Sequence, residues 1–421
     1  MADPHDTSRW QRYAVIAALF VLSLITYIDR AAISSAKGPM ALDLSLSDTQ
    51  MGMVFSVFAL GYALAQIPAG WIADKYGPRI ALASFVIAWS LLTSLTGTMT
   101  MLMPLLFVRF AFGVSEAGAF PGAARVFYNW LPPGERGIAN GILFSGGLIG
   151  GAVAFPFYAW LVESYSWRGA FYFLGLPGII WAVCWLVWFR DLPGDRNRPP
   201  VQPVQPAFDM KAVLRVPGIW PTMFQYFAGN FTFYICISWM HPYLIEQYGL
   251  TPGAAARYAM VPLLCGATAN WCAGFLVDAL YRSSHRSWSR QLPGMLGFGL
   301  ATIGVLLVAW SDSALSAIVG FAIATFGVEM TISPSWAYCL DVGGTRAATV
   351  SGTMNTAGNL GGFVSMNAFP WLMALTGTAT TYFVVAAAFN LLAILCWRVM
   401  VSPIVVPVGD VGVPVRSGGT V

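Results

Sequence analysis

Charge is what this sequence lacks most. Asp, Glu, Lys and Arg make up 10% of its 421 residues, against about 25% in soluble globular domains. A surface facing water needs more polarity than that, so a water-soluble globular domain is excluded. Histidine is nearly absent, with only His5, His241 and His285. There is no His-Glu-x-x-His, no Gly-x-Ser-x-Gly and no Cys-x-x-Cys. An intramembrane enzyme would need such a reactive constellation, so no catalytic residue, metal or cofactor is expected. The six cysteines (Cys184, Cys236, Cys265, Cys272, Cys339, Cys396) all fall in apolar runs and read as small packing residues. A receptor would want a soluble output domain, and no long polar stretch supplies one. Residues 1–11 are polar, with no short apolar region and cleavage site, so no cleavable signal peptide is expected.

What fills the sequence is long apolar runs. Hydrophobic residues make up 57% of the chain and the mean hydropathy is +0.67. About 20 apolar residues cross a bilayer as a helix. Twelve runs of that kind lie near 13–36, 50–73, 79–97, 100–124, 137–161, 169–189, 219–245, 254–277, 291–310, 313–337, 347–373 and 381–400. The expected fold is therefore all-α and polytopic, embedded in lipid. Twelve spans place both termini on one side. Of the 22 Lys and Arg, only Lys37, Arg168 and Arg257 fall on the opposite side, and Arg30 and Arg109 lie within spans. Lys and Arg gather on the cytoplasmic side of membrane proteins, so both termini are expected there. The net charge of +4 is on this reading a topology signal and not a nucleic-acid one.

The chain divides into two halves of six spans, 1–190 and 218–400. Between them 191–217 is rich in Pro and charge and reads as a cytoplasmic linker, with a short amphipathic helix expected at 208–215. The tail 401–421 has no periodicity and is expected to be disordered. The halves echo each other. Gly70 and Asp74 close span two as Gly274 and Asp278 close span eight, with Arg79 and Arg282 following. Gly141, Gly147, Gly150 and Gly151 of span five recur at one offset as Gly352, Gly358, Gly361 and Gly362 of span eleven. Tandem halves in one orientation are the repeat of a class of transporters whose site lies between the halves, near the midplane.

Charge inside spans is costly, at least about 2.5–3.5 kcal/mol per residue, and usually marks a pathway. Asp29 and Arg30 sit deep in span one, in Ile25-Thr26-Tyr27-Ile28-Asp29-Arg30. They form either a structural ion pair between helices or part of a polar cavity. Arg109 and Glu116 in span four are seven apart, about two helical turns, and share a face. In the second half Glu329 is a third intramembrane acid without a basic partner in its own spans. It either titrates or bonds locally to Ser333. Gln225, Tyr226, Asn230, Ser333, Trp336, Asn355 and Asn359 supply polarity there, either as substrate contacts or as links between helices. Trp181, Trp185 and Trp188 read as interface anchors.

The loop Gly70-Trp71-Ile72-Ala73-Asp74-Lys75-Tyr76-Gly77-Pro78-Arg79 resembles the signature loop of the major facilitator superfamily. There Asp74 can meet a basic residue or a helix N-terminus across a gate, and Gly77 permits a tight turn. Span five carries Ser145-Gly146-Gly147-Leu148-Ile149-Gly150-Gly151 in place of the Gly-Pro of drug–proton antiporters, which weighs against an exporter or antiporter as the alternative. Tyr27-Ile28-Asp29-Arg30 with Arg109, Glu116-Ala117-Gly118 and Phe120-Pro121 is similar to the anion–cation symporter family within that superfamily. That family includes bacterial galactonate, glucarate and hexuronate carriers, sialin and vesicular glutamate transporters.

The resemblance implies two six-helix bundles and proton-coupled import of an organic anion by alternating access, in a bacterial inner membrane, as a monomer. It implies that Arg30 binds a substrate carboxylate with Tyr27 and Tyr62 beside it. Asp29 and Glu116 would take protons, and Arg109 would pair with both. Asp74, Gly77, Arg79, Asp278 and Arg282 would serve the gate. Gln225, Ser333, Trp336, Asn355 and Asn359 are expected to contact a sugar acid from the second half. The proton gradient, rather than a cofactor, would supply the energy.

Overall fold

A computed structural model describes residues 9–192 and 209–403. The tail 404–421, most of the linker (193–208), and Arg196, Arg198 and Arg416 lie outside the described residues. Among the described residues every regular element is helical. That follows from the solvent: a lipid-facing backbone must satisfy its own N–H and C=O groups, and a helix does so within one segment.

Span one is α1 (Arg9–Ser35), followed by the short α2 (Lys37–Asp43). Spans two and three are α3 (Asp48–Tyr76) and α4 (Pro78–Thr96). Gly77 joins them with φ of 84°, a left-handed turn that suits glycine. Span four is two helices, α5 (Leu102–Glu116) and α6 (Ala119–Trp130). Spans five and six form α7 (Arg136–Trp188), broken at Ser166, whose φ is 63°. The expected amphipathic helix at 208–215 is the single turn α8 (Met210–Leu214). Span seven combines α9 (Ile219–Ser238) and α10 (Met240–Tyr248), and span eight is α11 (Pro252–Arg282). Span nine is α12 (Gln291–Ala309). Span ten is again broken, into α13 (Ala314–Met330) and α14 (Ile332–Gly343). Spans eleven and twelve are α15 (Ala347–Thr376) and α16 (Thr380–Val399).

Ten segments are long and apolar enough to cross a bilayer alone. One of them, Ala314–Thr376, holds both spans ten and eleven. Span seven is not among them, because Thr222, Gln225, Asn230 and Thr232 dilute its apolar character. With it the twelve spans are complete. The breaks in spans four and ten differ from the continuous spans expected. Ala117-Gly118 and Thr331 interrupt them within the span.

The glycine echo has a packing cause. Gly150 faces the Leu24 backbone oxygen of span one, where a Cβ would come within 2.8 Å; Gly361 faces that of Phe227 in span seven at 2.3 Å. Each half therefore seats its fifth helix against its first through equivalent glycines. The halves themselves meet through α3 with α15 and α7 with α11. A Cβ on Gly352 would lie 2.6 Å from the Gln66 carbonyl oxygen, and one on Gly141 would lie 2.4 Å from that of Asn270. Both contacts lie toward the face that carries the termini. Trp181 and Trp185, expected as interface anchors, are instead packed inside: they stack with centroids 4.9 Å apart, and Trp181 Nε1 donates to the Ala18 carbonyl at 2.8 Å. Trp188 is half-exposed.

Candidate functional site

A cavity opens between the halves near the midplane. Span one lends it Tyr27 and Arg30, span two Tyr62, and spans four and five Phe120, Phe144 and Leu148. The second half contributes Tyr226, Asn230, Phe233, Tyr234, Glu329, Asn355 and Asn359. The halves thus bring polar groups together from residues up to about 330 positions apart in the chain, which only the paired-bundle topology allows.

Arg30 Nε donates to Glu116 Oε1 at 2.9 Å, and Glu116 is fully buried. The Arg30 guanidinium lies 4.5 Å from the Tyr62 ring centroid, 5.2 Å from Tyr27 and 5.5 Å from Phe58. These ring faces hold the cation by their quadrupoles and leave little water around it. Its Nη2 is buried without a hydrogen-bond partner. A planar fork with unused N–H groups beside a cavity is suited to a carboxylate, which accepts two of them at once.

The expected pairing of Arg109 with Asp29 and Glu116 is not what the structure shows. Arg30 is the ion-pair partner of Glu116. Arg109 packs over Phe112 and Phe58, at 4.7 and 5.2 Å, and its Nε has no hydrogen-bond partner. It still lies within electrostatic range of both acids. Asp29 is 2% exposed and its Oδ2 has no hydrogen-bond partner. A buried carboxylate oxygen left unmet is costly, and more so than an unmet neutral carboxyl group.

Several expected second-half contacts do not reach the cavity. Gln225 is buried among its own helices, donating to the Thr222 carbonyl and accepting from Ser335. Ser333 donates across the interface to the Gly137 carbonyl, so it neither lines the cavity nor bonds to Glu329. Trp336 is fully buried; it packs on Phe144 with centroids 5.0 Å apart and gives its N–H to the Tyr226 hydroxyl at 2.9 Å. It supports the wall from behind. Asn355 and Asn359 do line the cavity. Tyr226 and Asn230 line it too, and Tyr234 and Phe233 were not anticipated.

Glu329 lines the cavity and takes a hydrogen bond from Asn270 Nδ2 at 2.6 Å. It lies one residue before the end of α13, close to the break in its span, as Glu116 ends α5. The equivalence is visible in the chain: Glu116 lies five residues before Pro121, and Glu329 five before Pro334.

The face bearing the termini is closed by a pair of equivalent contacts. Asp74 of α3 accepts from the Ala348 and Thr349 amides at 3.1 and 2.8 Å, and from the Thr349 hydroxyl. Asp278 of α11 accepts from the Gly137 and Ile138 amides at 2.9 and 2.8 Å. Each carboxylate caps the N-terminus of a helix from the other half, where unsatisfied N–H groups and the helix dipole favour an anion. Arg282 donates to the Gly134 carbonyl across the same face at 2.9 Å. Arg79 does not cross. Its amide meets Asp191, at the start of the linker, at 2.7 Å, and its guanidinium meets the Leu186 carbonyl of its own half. Unanticipated was Asp341, which holds Arg136 of the first half at 2.8 Å and Arg290 of the second at 3.0 Å.

The family model "Major Facilitator Superfamily" matches residues 19–366. The chain is 30% identical over 390 residues to the "Probable sulfoacetate transporter SauU" of Cupriavidus necator, covering 90% of this chain and 91% of that one. It is 28% identical to the "Probable galactarate/D-glucarate transporter GudP" of Bacillus subtilis, covering 93% and 92%. To the "Hexuronate transporter" of the same organism it is also 28% identical, covering 93% and 95%. Among solved structures, the transporter FucP in an outward conformation superposes with a TM-score of 0.75 at 13% identity, over 91% of this chain and 98% of that one. Twelve spans in two bundles, a midplane cavity and a matching family model lead to one assignment: this chain belongs to the major facilitator superfamily and is a multi-pass membrane transporter, not an enzyme.

Proposed function

We propose that this protein imports a small organic anion together with protons, in a bacterial inner membrane with both termini cytoplasmic. The observation that carries the reading is Arg30: a guanidinium in the cavity wall, clasped by aromatic faces, with a buried Nη2 free of partners. Relatives named for sulfoacetate, galactarate, glucarate and hexuronate support an acid as cargo. The Lys and Arg bias supports the orientation.

Coupling follows from competition for one cation. Glu116 holds Arg30 at 2.9 Å. A substrate carboxylate and an ionised Glu116 compete for the same N–H groups. Protonating Glu116 releases them, so a proton and an anion favour each other's binding. Asp29, buried beside this pair, is the second proton carrier, and Arg109 keeps the pocket positive when both acids are neutral. Conversely, loss of the anion returns Arg30 to Glu116 and expels the proton. Closing the terminal face by Asp74 and Asp278, and reopening it, then moves the loaded cavity across the bilayer.

Purified protein in liposomes tests the reading. An inside-alkaline gradient is expected to drive accumulation of a labelled acid, and a protonophore to abolish it without stopping exchange. Uptake that ignores the proton gradient and follows sodium instead would overturn proton coupling. Undiminished anion binding by Arg30→Ala would overturn the role of Arg30.

A further inference from the structure

The second-half wall of the cavity carries a group of hydrogen-bond acceptors. Glu329 is 6% exposed and gives one oxygen to Asn270; its other oxygen has no hydrogen-bond partner among the described residues. No Lys or Arg among the described residues lies within ion-pair distance of it. Asn230 Nδ2 donates to the Tyr226 backbone carbonyl at 2.9 Å, and Asn359 Nδ2 to that of Asn355 at 2.8 Å. A backbone carbonyl can only accept, so each amide must turn its nitrogen inward to its own helix. Its side-chain oxygen is then the atom left unused. Three acceptors, one of them a carboxylate, thus stand across the cavity from Arg30.

Arg30 and Glu329 share the cavity without pairing. The guanidinium is held by Glu116 in its own half, while Tyr27 lies in electrostatic reach of both Arg30 and Glu329. The cavity is therefore polarised, with a guanidinium on the first-half wall and a carboxyl group on the second. A ligand spanning it meets a donor surface at one end and an acceptor surface at the other.

We infer that Glu329 is a specificity-determining residue: the cavity takes monoanionic acids whose far end carries hydrogen-bond donors, hydroxyl or ammonium, and rejects acids with a second anionic group. This rests on the organic-acid reading above. The acid group docks on Arg30. At the other end a hydroxyl or ammonium donates to the free Glu329 oxygen and the Asn oxygens, leaving no buried acceptor unmet. A second carboxylate in that place sets its oxygens against the Glu329 and Asn oxygens in a poorly hydrated site, where only the neutral Tyr226, Tyr234 and Asn355 groups can donate to it. Discrimination of this kind is large because the wrong group leaves buried polar atoms unpaired. Two of the relatives above are named for a diacid or a sulfonated acid. The inference separates this chain from them.

Gluconate and glucarate form a matched pair, differing only in whether the last carbon is an alcohol or a carboxylate. Their binding to the full-length protein at neutral pH, by calorimetry or by ligand-induced thermal shift, is the test. Wild type is expected to bind gluconate at least about tenfold more tightly than glucarate. Glu329→Gln keeps one oxygen for the Asn270 bond and puts an amide N–H group where the free oxygen stood. It is expected to narrow that ratio by at least about tenfold, through tighter glucarate and weaker gluconate binding. The probe 6-amino-6-deoxygluconate identifies the donor: tighter binding than gluconate points to an ammonium, weaker binding to a hydroxyl. Equal binding of gluconate and glucarate by wild type would overturn the inference while leaving the acid reading intact, and needs no variant. An unchanged ratio in a folded Glu329→Gln would overturn it as well. Failure of every acid to bind either form would overturn the acid reading and the inference with it.

Discussion

Glu116 and Glu329 stand at the same break in the two halves, but only Glu116 has a cation, the Arg30 Nε at 2.9 Å. Glu329 has the Asn270 amide at 2.6 Å instead. One fold element repeated twice thus presents two chemistries to one cavity. On the reading above, the first-half acid competes with substrate for Arg30, and the second-half acid faces the substrate's other end.

Glu116→Gln is therefore expected to separate binding from coupling. The amide keeps an oxygen for Arg30 but loses the charge that restrains it. Exchange of labelled for unlabelled acid continues, while accumulation against a gradient falls to the level seen with protonophore. Accumulation at the wild-type level would remove Glu116 from the proton pathway.

Much of this was legible in the chain because membrane physics writes in long runs. Twelve apolar stretches and the Lys and Arg bias required no tertiary knowledge. Arg30, Asn355 and Asn359 stand out because a polar group in a span is expensive, whereas Tyr27 and Tyr62 follow from the family resemblance. Gln225, Ser333 and Trp336 stood out for the same reason, but polarity alone cannot say whether a group faces a cavity or a neighbouring helix. Ser333 bonds to Gly137, 196 positions away. The partner of Arg30 was missed similarly: Asp29 is its neighbour in sequence, yet successive residues on a helix point about 100° apart, and span four brings Glu116 instead. Asp341 was missed because its partners, Arg136 and Arg290, lie on two different helices of two halves.

The two inter-half caps predict a shift in conformational balance. Asp278→Ala removes an acceptor from the amides of Gly137 and Ile138, and Asp74→Ala removes one from Ala348 and Thr349. Losing a cap costs roughly 0.5–2 kcal/mol, so the closed terminal face loses about a factor of 2 to 30 in population. Hydrogen exchange at those amides should quicken in each variant. The effect should be larger for Asp74, which also holds the Thr349 hydroxyl and lies 3.8 Å from Arg125. Unchanged protection at 137–138 in Asp278→Ala would show that the cap does not hold this face.

Outside the membrane spans, Asp191 predicts a pH dependence. Burial raises its carboxyl above the ordinary value of 3.8, against the opposing pull of the Arg79 backbone N–H and the charges of Arg79 and Arg125. As pH rises, the unfolded chain loses this proton before the folded one does. The folded state then binds more protons, so stability falls with pH across that window and levels off above it. Asp191→Asn keeps an acceptor for the Arg79 amide and never ionises. Relative to wild type it should gain thermal stability as pH rises from about 4 into the neutral range, and match it below. A difference that does not vary with pH would refute the assignment.

The glycines at the interface make the sharpest mechanical prediction. A Cβ at Gly141 would lie 2.4 Å from the Asn270 carbonyl oxygen, and one at Gly352 would lie 2.6 Å from that of Gln66. The obstacle in each case is backbone, which cannot rotate away as a side-chain tip would. The added methyl therefore forces α7 from α11, or α15 from α3, at a cost of about 1–3 kcal/mol for overpacking. That cost falls only on the state in which the terminal face is closed. With this face apart the methyl has room, and alanine favours a helix over glycine by up to about 1 kcal/mol. Each variant should thus remain folded but populate the state open on the terminal face. Net uptake should fall at least tenfold, which corresponds to about 1.4 kcal/mol, while acid still binds from that face. Gly299→Ala is the control, since nothing lies within 4 Å of its Cβ position. It should transport like wild type. If Gly141→Ala also transports normally, these two helices do not close as tightly during the cycle as they do here.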